Sequence, residues 1–202
     1  TRCMDEAGIG FCFAPAHHGA MKHAMPIRQA LGFRTIFNLL GPLTNPAGTR
    51  RQVIGVPTLE LVQTIASVMV ELDADHALIV HSQLSDGTGL GELTTFGPNQ
   101  VAEVHHGMIQ SSQVDPETLG MSFGMSRSVT VETPAESAAM VERVLSGASG
   151  PARDIVRLNT AAALLVADLV EDLSEGLDRA SEAIDSGAAR EALDRLIAVS
   201  NR

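Results

Sequence analysis

The side chains in this sequence that could do chemistry are few and widely spaced. Arg28 stands in Pro26-Ile-Arg-Gln-Ala30. A guanidinium is always charged and grips a carboxylate through two parallel hydrogen bonds. Taken alone, Arg28 reads as a solvated helix arginine. Two carboxylates, Asp86 and Glu92, flank the run Gly87-Thr-Gly-Leu-Gly91. Glycines so spaced suggest a backbone cradle for phosphate, but a flexible turn is the plainer reading. His17, His18 and His23 lack the spacing of a zinc site, because adjacent histidines point in different directions. His105 and His106 read as strand or turn residues, and no serine, histidine and acid arrangement is recognisable.

A second feature is a binding wall rather than a reactive group. Arg34-Thr-Ile-Phe-Asn-Leu-Leu-Gly-Pro-Leu-Thr-Asn-Pro46 is almost uncharged, yet carries two prolines, a glycine and two asparagines. Thr35 suits the cap of a short helix. Ile36, Phe37, Leu39 and Leu40 are apolar on more than one face, which predicts burial on several sides. Gly41 suits a left-handed residue after the helix, and Pro42 forbids continuation. Asn45, preceding Pro46, is pushed to an extended conformation. The bland reading is a tight helix-to-loop connection in a core. The alternative is a fixed, non-regular wall of a binding site.

The elements that must position these residues fit one domain, or one domain with a small lobe, in 202 residues. The hydrophobic fraction of 45% is ordinary for a globular chain. A net charge of -10 argues against a general nucleic-acid binder, while leaving room for a locally bound anion. Cys3 and Cys12 are too few for a disulfide framework and read as reduced, cytoplasmic cysteines, with Cys12 in the core. No apolar run approaches a membrane span, and no signal peptide is recognisable.

Ile9 to Ala14 reads as a short buried strand, and Pro26 opens a helix to Leu31. Gln52 to Val56 predicts a strand, followed by a helix from Leu59 to Leu72 with Leu61, Ile65, Val68 and Leu72 on one face. Ala77 to His81 predicts a strand covered on both sides. Strand, helix and strand at this spacing form a parallel unit. Gly91–Gly97, Gln100–His106 and Ser126–Glu132 read as further strands, at least partly antiparallel. Thr133 and Pro134 open a helix to Leu145, and Gly147 to Gly150 break it. A long helix is expected from Pro151 to Leu173, with a junction at Ser174 and Gly176. Another helix then runs to Ser186-Gly187, before a last amphipathic one carrying Leu193, Leu196 and Ile197. The fold class expected is α/β, with a central mixed, partly parallel sheet flanked by helices.

From Gly8 to Asn45 the chain reads GIGFCFAPAHHGAMKHAMPIRQALGFRTIFNLLGPLTN. This long, gap-free stretch resembles the anthranilate phosphoribosyltransferases. Weaker similarity continues through Gln52-Val-Ile-Gly-Val56, Ala77-Leu-Ile-Val-His81 and Gly150-Pro-Ala-Arg-Asp-Ile-Val-Arg-Leu-Asn159 to Ile184-Asp-Ser-Gly187. The resemblance covers most of the chain and corresponds to the later part of the family's sequence. It implies a fold of the nucleoside phosphorylase and phosphoribosyltransferase kind. Residues 1–15 and 46–202 would form the α/β domain, and 16–45 a segment of a helical lobe, with the active site between them.

The resemblance implies a phosphoribosyl transfer from phosphoribosyl pyrophosphate to anthranilate, in tryptophan biosynthesis. It places the anthranilate-binding guanidinium at Arg28 and leaves Arg34 structural. It implies Mg2+ as cofactor, held where the family has Asp-Gly-Leu-Asp-Glu after a strand ending in histidine. This chain reads His81-Ser-Gln-Leu-Ser-Asp-Gly-Thr-Gly-Leu-Gly-Glu92. Glu92 matches the glutamate, Gly91 replaces the aspartate, and Asp86 is the candidate to supply the second carboxylate. Gly19 replaces the proline usual after the histidine pair. Val131-Glu-Thr-Pro-Ala-Glu-Ser-Ala138 departs from a Gly-Gly-Asp-x-x-Glu-Asn-Ala pattern. The resemblance further implies a homodimer, and an N-terminal segment carrying a Gly-Thr-Gly-Gly-Asp phosphate loop that these residues lack. Two alternatives stand beside it: a pyrimidine nucleoside phosphorylase, and a non-catalytic relative that binds nucleic acid.

Overall fold

The computed structural model describes residues 2–11, 37–45 and 47–202. The chain divides into two compact units, residues 1–49 with 192–202, and residues 50–191. The larger unit has the expected α/β fold. Strand β1 (Arg51–Gly55) pairs in parallel with β2 (His76–Gln83), and α3 (Glu60–Glu71) makes the crossover. β4 (Asn99–His105) pairs antiparallel with β2, and β5 (Met108–Val114) antiparallel with β4. The short β3 (Gly89–Leu90) adds to the end of β2. Among the described residues the sheet therefore has five strands, in the order β1-β2-β4-β5 with β3 beside β2.

β2 is the centre of this unit, and its first seven residues are buried. Alternation sends Leu78 and Val80 to one face, where they join Val101, Leu158, Ala161 and Leu177. Leu158 and Ala161 belong to α5 (Pro151–Val166) and Leu177 to α6 (Leu173–Asp185). Ala77 and Ile79 take the opposite face, and α3 covers the sheet with Val62, Ile65, Ala66 and Met69. That is a correction to the expected face: Ile65 is buried, whereas Leu72 is 49% exposed. The buried face runs through Val62, Ile65, Ala66 and Met69, one position further round than the Leu61-based spacing predicted.

Several other elements differ from expectation. Gly91–Gly97 is not a strand, because its backbone groups are taken by side chains rather than by a neighbouring strand. Ser126–Glu132 is not a strand either; Ser126–Ser128 forms a single 3-10 turn. β5 was not anticipated, because its sequence is mostly polar and six of its residues are exposed. A polar outer edge of this kind discourages pairing with another chain. The turn before it is His106-Gly107, with both residues at positive φ, 51° and 74°. That conformation matches the twist of a tight hairpin.

The helix expected to reach Leu173 stops at Val166, and α6 begins at Leu173. Asp168 takes a left-handed φ of 54° in the break, where its carboxylate meets Arg51 at 2.5 Å and His76 at 3.0 Å. The expected junction at Ser174 and Gly176 lies inside α6 instead. Gly176 is a point of close helix contact: a Cβ there would sit 2.7 Å from Ala161 Cα. Asp172 caps α6 by accepting from the Glu175 N–H at 2.9 Å, and Thr133 caps α4 (Pro134–Leu145) by accepting from the Glu136 N–H at 3.2 Å.

In the smaller unit, α1 (Arg2–Ala7) and the end of α7 (Ala188–Ser200) are joined by Arg2 Nη2 donating to the Val199 carbonyl at 3.0 Å. Arg202 pairs with Glu6 at 3.2 Å. Cys3 on α1 is a free thiol. The described part of the expected Ile9–Ala14 strand belongs to no sheet, with Ile9 47% and Phe11 80% exposed. α2 (Phe37–Leu43) contains Pro42, and Gly41 lies within it rather than in a left-handed turn. Proline removes one hydrogen bond near a helix end, where few remain to lose. Thr44 then closes the helix, its hydroxyl donating to the Leu40 carbonyl at 2.8 Å. The expected helix at Pro26–Leu31 and most of segment 16–45, including the cap at Thr35, lie outside the described residues, as does Cys12.

Gly176→Ala tests the α5–α6 contact. Alanine favours an isolated helix by about 1 kcal/mol over glycine. Overpacking against the Ala161 backbone should outweigh that, for a net loss of about 1–3 kcal/mol in urea denaturation.

Candidate functional site

Ligands in open α/β sheets bind beyond the carboxyl ends of the parallel strands. Here those ends are Gly55-Val56 and Ser82-Gln83, and the loop that crosses them runs from Gln83 to Glu92. His81, only 3% exposed, closes the floor. A carbonyl only accepts, so the His81 ring donates from Nδ1 to the Val56 oxygen at 3.0 Å. The loop lies directly on this floor. A Cβ at Gly89 would overlap the Pro57 carbonyl, and one at Gly55 would overlap the Gly91 carbonyl. In the reverse direction, a Cβ at Gly91 would stand 3.0 Å from the Gly55 carbonyl carbon. The glycines therefore serve close approach of backbone to backbone. Only Gly87, at φ 86°, serves a left-handed turn in this loop.

The loop tip is a closed hairpin. The Leu84 N–H donates to Thr88 O at 2.8 Å and the Gly87 N–H to Leu84 O at 2.9 Å. Asp86 accepts from the Thr88 N–H at 2.9 Å, and this bond to the charged form holds its carboxyl below the ordinary range. At the other end, the Ser82 hydroxyl donates to the Glu92 carbonyl at 3.0 Å. The next residue is clamped twice by Asn159 of α5. The Leu93 N–H donates to Asn159 Oδ1 at 3.1 Å, and Asn159 Nδ2 donates to the Leu93 carbonyl at 2.7 Å. Asn99 treats Thr94 the same way, at 2.7 and 3.0 Å. Two side-chain amides thus replace a strand partner along residues 93–94.

This anchoring leaves the Glu92 side chain exposed at the rim of a cavity of about 280 Å3. Val129, Val131, Met140, Val144 and Ile155 line it, with Ser137 on the first turns of α4. One carboxylate at the mouth of an apolar cavity can hold a hard cation that also binds phosphate oxygens. Asp86 is also exposed, with one carboxylate oxygen engaged by Thr88. Neither acid belongs to a cluster of three potential metal ligands among the described residues. Near its N-terminus α3 adds Glu60, whose carboxyl is lowered first by a hydrogen bond from its own backbone N–H and then by Thr58.

Arg28, Arg34 and the histidines at 17, 18 and 23 lie outside the described residues, so their placement rests on the sequence. The segment 131–138 is seen to be a helix start. Thr133 caps α4, and the Glu132 N–H donates to Glu136 Oε2 at 2.8 Å. Asn159, Asn99 and the Gly55–Gly91 contact were missed as site-builders. Asn159 had a visible signal, a lone amide in the apolar stretch from Ile155 to Val166. Gly55 had none, because a single glycine ending a strand has many uses.

The family model of the glycosyl transferase family, a/b domain, matches residues 1–190. An anthranilate phosphoribosyltransferase of Caulobacter vibrioides is 52% identical over 200 residues, which are 99% of this chain and 57% of that protein. One of Thermomicrobium roseum is 49% identical, over 100% of this chain and 58% of that protein. The solved structure of the Thermus thermophilus enzyme of that name superposes with a TM-score of 0.87 at 37% identity, covering 97% of this chain and 57% of that one. The Saccharomyces cerevisiae enzyme, solved in complex with PRPP and Mg, gives 0.80 at 28% identity, covering 92% and 53%. The chain thus spans little more than half the length of the relatives it matches.

The Asp86 hydrogen bond sets a pH dependence for the loop tip. Its carboxyl is depressed in the folded chain, so the contribution is complete above the ordinary value of 3.8 and is lost as pH falls through the lower folded value. The protection of the Thr88 amide, its exchange rate relative to the intrinsic rate at the same pH, should hold above the ordinary value and fall as pH drops through the lower folded value. Asp86→Asn should flatten this profile.

Proposed function

The chain belongs to the glycosyl transferase family by its a/b domain, and on that premise we propose that it carries the acceptor and metal side of an anthranilate phosphoribosyltransferase. The observation that supports this most is the 52% identity with an enzyme of that name along 99% of the chain. In the proposed reaction the anthranilate amine attacks C1 of the ribose of phosphoribosyl pyrophosphate. A C–N bond forms, the C1–O bond to pyrophosphate breaks, and the amine gives up a proton.

Arg28 holds the anthranilate carboxylate in two hydrogen bonds and so aims the nitrogen, a positioning worth several kcal/mol. Glu92 and, from the hairpin tip, Asp86 would hold Mg2+, which when bound would supply positive charge to offset that on the departing pyrophosphate. Because Gly91 carries no carboxylate, the protein supplies fewer oxygens than an Asp-Glu pair would. The hairpin, pinned by Ser82 and by Asn159, keeps Glu92 in place without the cation. The proposal extends to a cytoplasmic homodimer. None of the described helices is long and apolar enough to cross a membrane.

The test is anthranilate fluorescence, followed with and without phosphoribosyl pyrophosphate and Mg2+. The 202-residue chain should be compared with a chimaera carrying the preceding portion of the Caulobacter vibrioides relative. Substrate-dependent loss of fluorescence is expected in the chimaera and not in the 202 residues alone. A chimaera that folds and consumes no anthranilate would overturn the proposed activity.

Two substitutions in an active chimaera divide the roles. Arg28→Ala should raise KM for anthranilate far more than KM for phosphoribosyl pyrophosphate, with a loss of about 2–3 kcal/mol. Glu92→Ala should raise the Mg2+ concentration needed for half-activity and leave KM for anthranilate near its starting value. Unchanged constants would remove the residue concerned from the site.

A further inference from the structure

A second polar cluster lies at the other end of β2. His76 and His105 are opposite each other on β2 and β4, so both side chains leave the same face of the sheet. Their rings stack with centroids 4.1 Å apart and planes 9° from parallel. The left-handed turn after α5 brings Asp168 Oδ1 to 3.0 Å from His76 Nδ1. The other ring nitrogen, Nε2, lies 2.7 Å from Glu103 Oε1. Arg51 holds the second Asp168 oxygen, which keeps Oδ1 turned towards the histidines.

We propose that His76, His105 and Asp168 bind a divalent transition-metal ion of the zinc type, with Glu103 orienting His76. One ligand atom from each residue lies within 4.8 Å of the others, so a small side-chain shift brings them inside the roughly 4 Å that two bonds of zinc length span. Two imidazoles and one carboxylate suit zinc and its neighbours and are a poor set for Mg2+, which prefers oxygen. Metal-bound histidines characteristically donate their other N–H to a carboxylate, and Glu103 is in that position. The adjoining cavity, of about 510 Å3, leaves room for water in the remaining coordination positions. The His76 and His105 rings are parallel, and His106 stacks on His105 as well, with centroids 4.0 Å apart, so binding requires His105 to tilt out of both stacks.

At the rise of a strand, the length of β2 separates this cluster from the Glu92 loop by about 20 Å. The ion would therefore cross-link β2, β4 and the α5–α6 turn, and would be distinct from any Mg2+ bound with substrate.

The test is calorimetric titration of the metal-stripped 202-residue chain with Zn2+, and visible spectroscopy with Co2+. Saturable binding of one ion per chain is expected, with the absorption of a low-coordinate Co2+ site. His105→Ala and Asp168→Asn should each weaken binding by about tenfold or more, and Glu103→Gln by about 10–100-fold. His17→Ala, His18→Ala and His23→Ala combined should leave it unchanged. Far-UV circular dichroism identifies any variant that fails to fold, and the remaining ligand variant then decides. Absence of saturable binding overturns the proposal, as does binding that survives His105→Ala and Asp168→Asn.

Discussion

The clamp between Asn159 and Leu93 is the contact on which the arrangement at the carboxyl ends of the strands depends. Leu93 is fully buried, so its backbone N–H and carbonyl need partners, and among the described residues no strand pairs with it. One side-chain amide supplies both. Asn159 is itself held by donating to the Ile155 carbonyl at 2.9 Å, and α5 packs on β1 and β2. The loop is thereby referenced to the same helix that covers the sheet. Replacing Asn159 by an apolar residue would leave two buried backbone groups unpaired, each costing about 1–3 kcal/mol. Glu92 has its position because its neighbour is fixed in this way, while its own side chain remains in solvent.

Much of the scaffold was legible in the sequence, and the reasons are physical. β2 is apolar without alternation because it is covered on both faces. The parallel β1–α3–β2 unit follows from the spacing of its strands and helix. The α4 start was legible because Thr133, Pro134 and Glu136 each carry a helix-start signal. β5 was not legible, because it lies at an exposed edge where burial imposes no pattern. Gly91–Gly97 imitates a strand, since Leu93 is buried and Phe96 half-buried, but its partners are the amides of Asn99 and Asn159. The stop after Val166 depends on Asp168 reaching Arg51 and His76, residues remote in sequence. Gly176 resembled a helix break because sequence cannot distinguish a flexible glycine from a tightly packed one.

The candidate site was legible only in part. Glu92 and Asp86 stand on the loop over the ends of β1 and β2, but the spacing of the acids did not reveal what holds them. The altered stretch from Val131 to Ala138 caps α4 and lines the cavity beside Glu92. A segment that departs from a family pattern therefore has a definite structural task here. His76 and His105 looked unremarkable in sequence because nothing local indicates that β2 and β4 set them side by side.

The contact between Gly55 and Gly91 couples two positions remote in sequence, because the backbone at each limits what side chain the other can carry. A side chain at 55 is barred while the loop keeps this path, and one at 91 meets the Gly55 backbone at a distance few Cβ atoms tolerate. A carboxylate-bearing residue at 91 therefore requires the backbone around Gly55 to give by a few tenths of an ångström before its side chain fits.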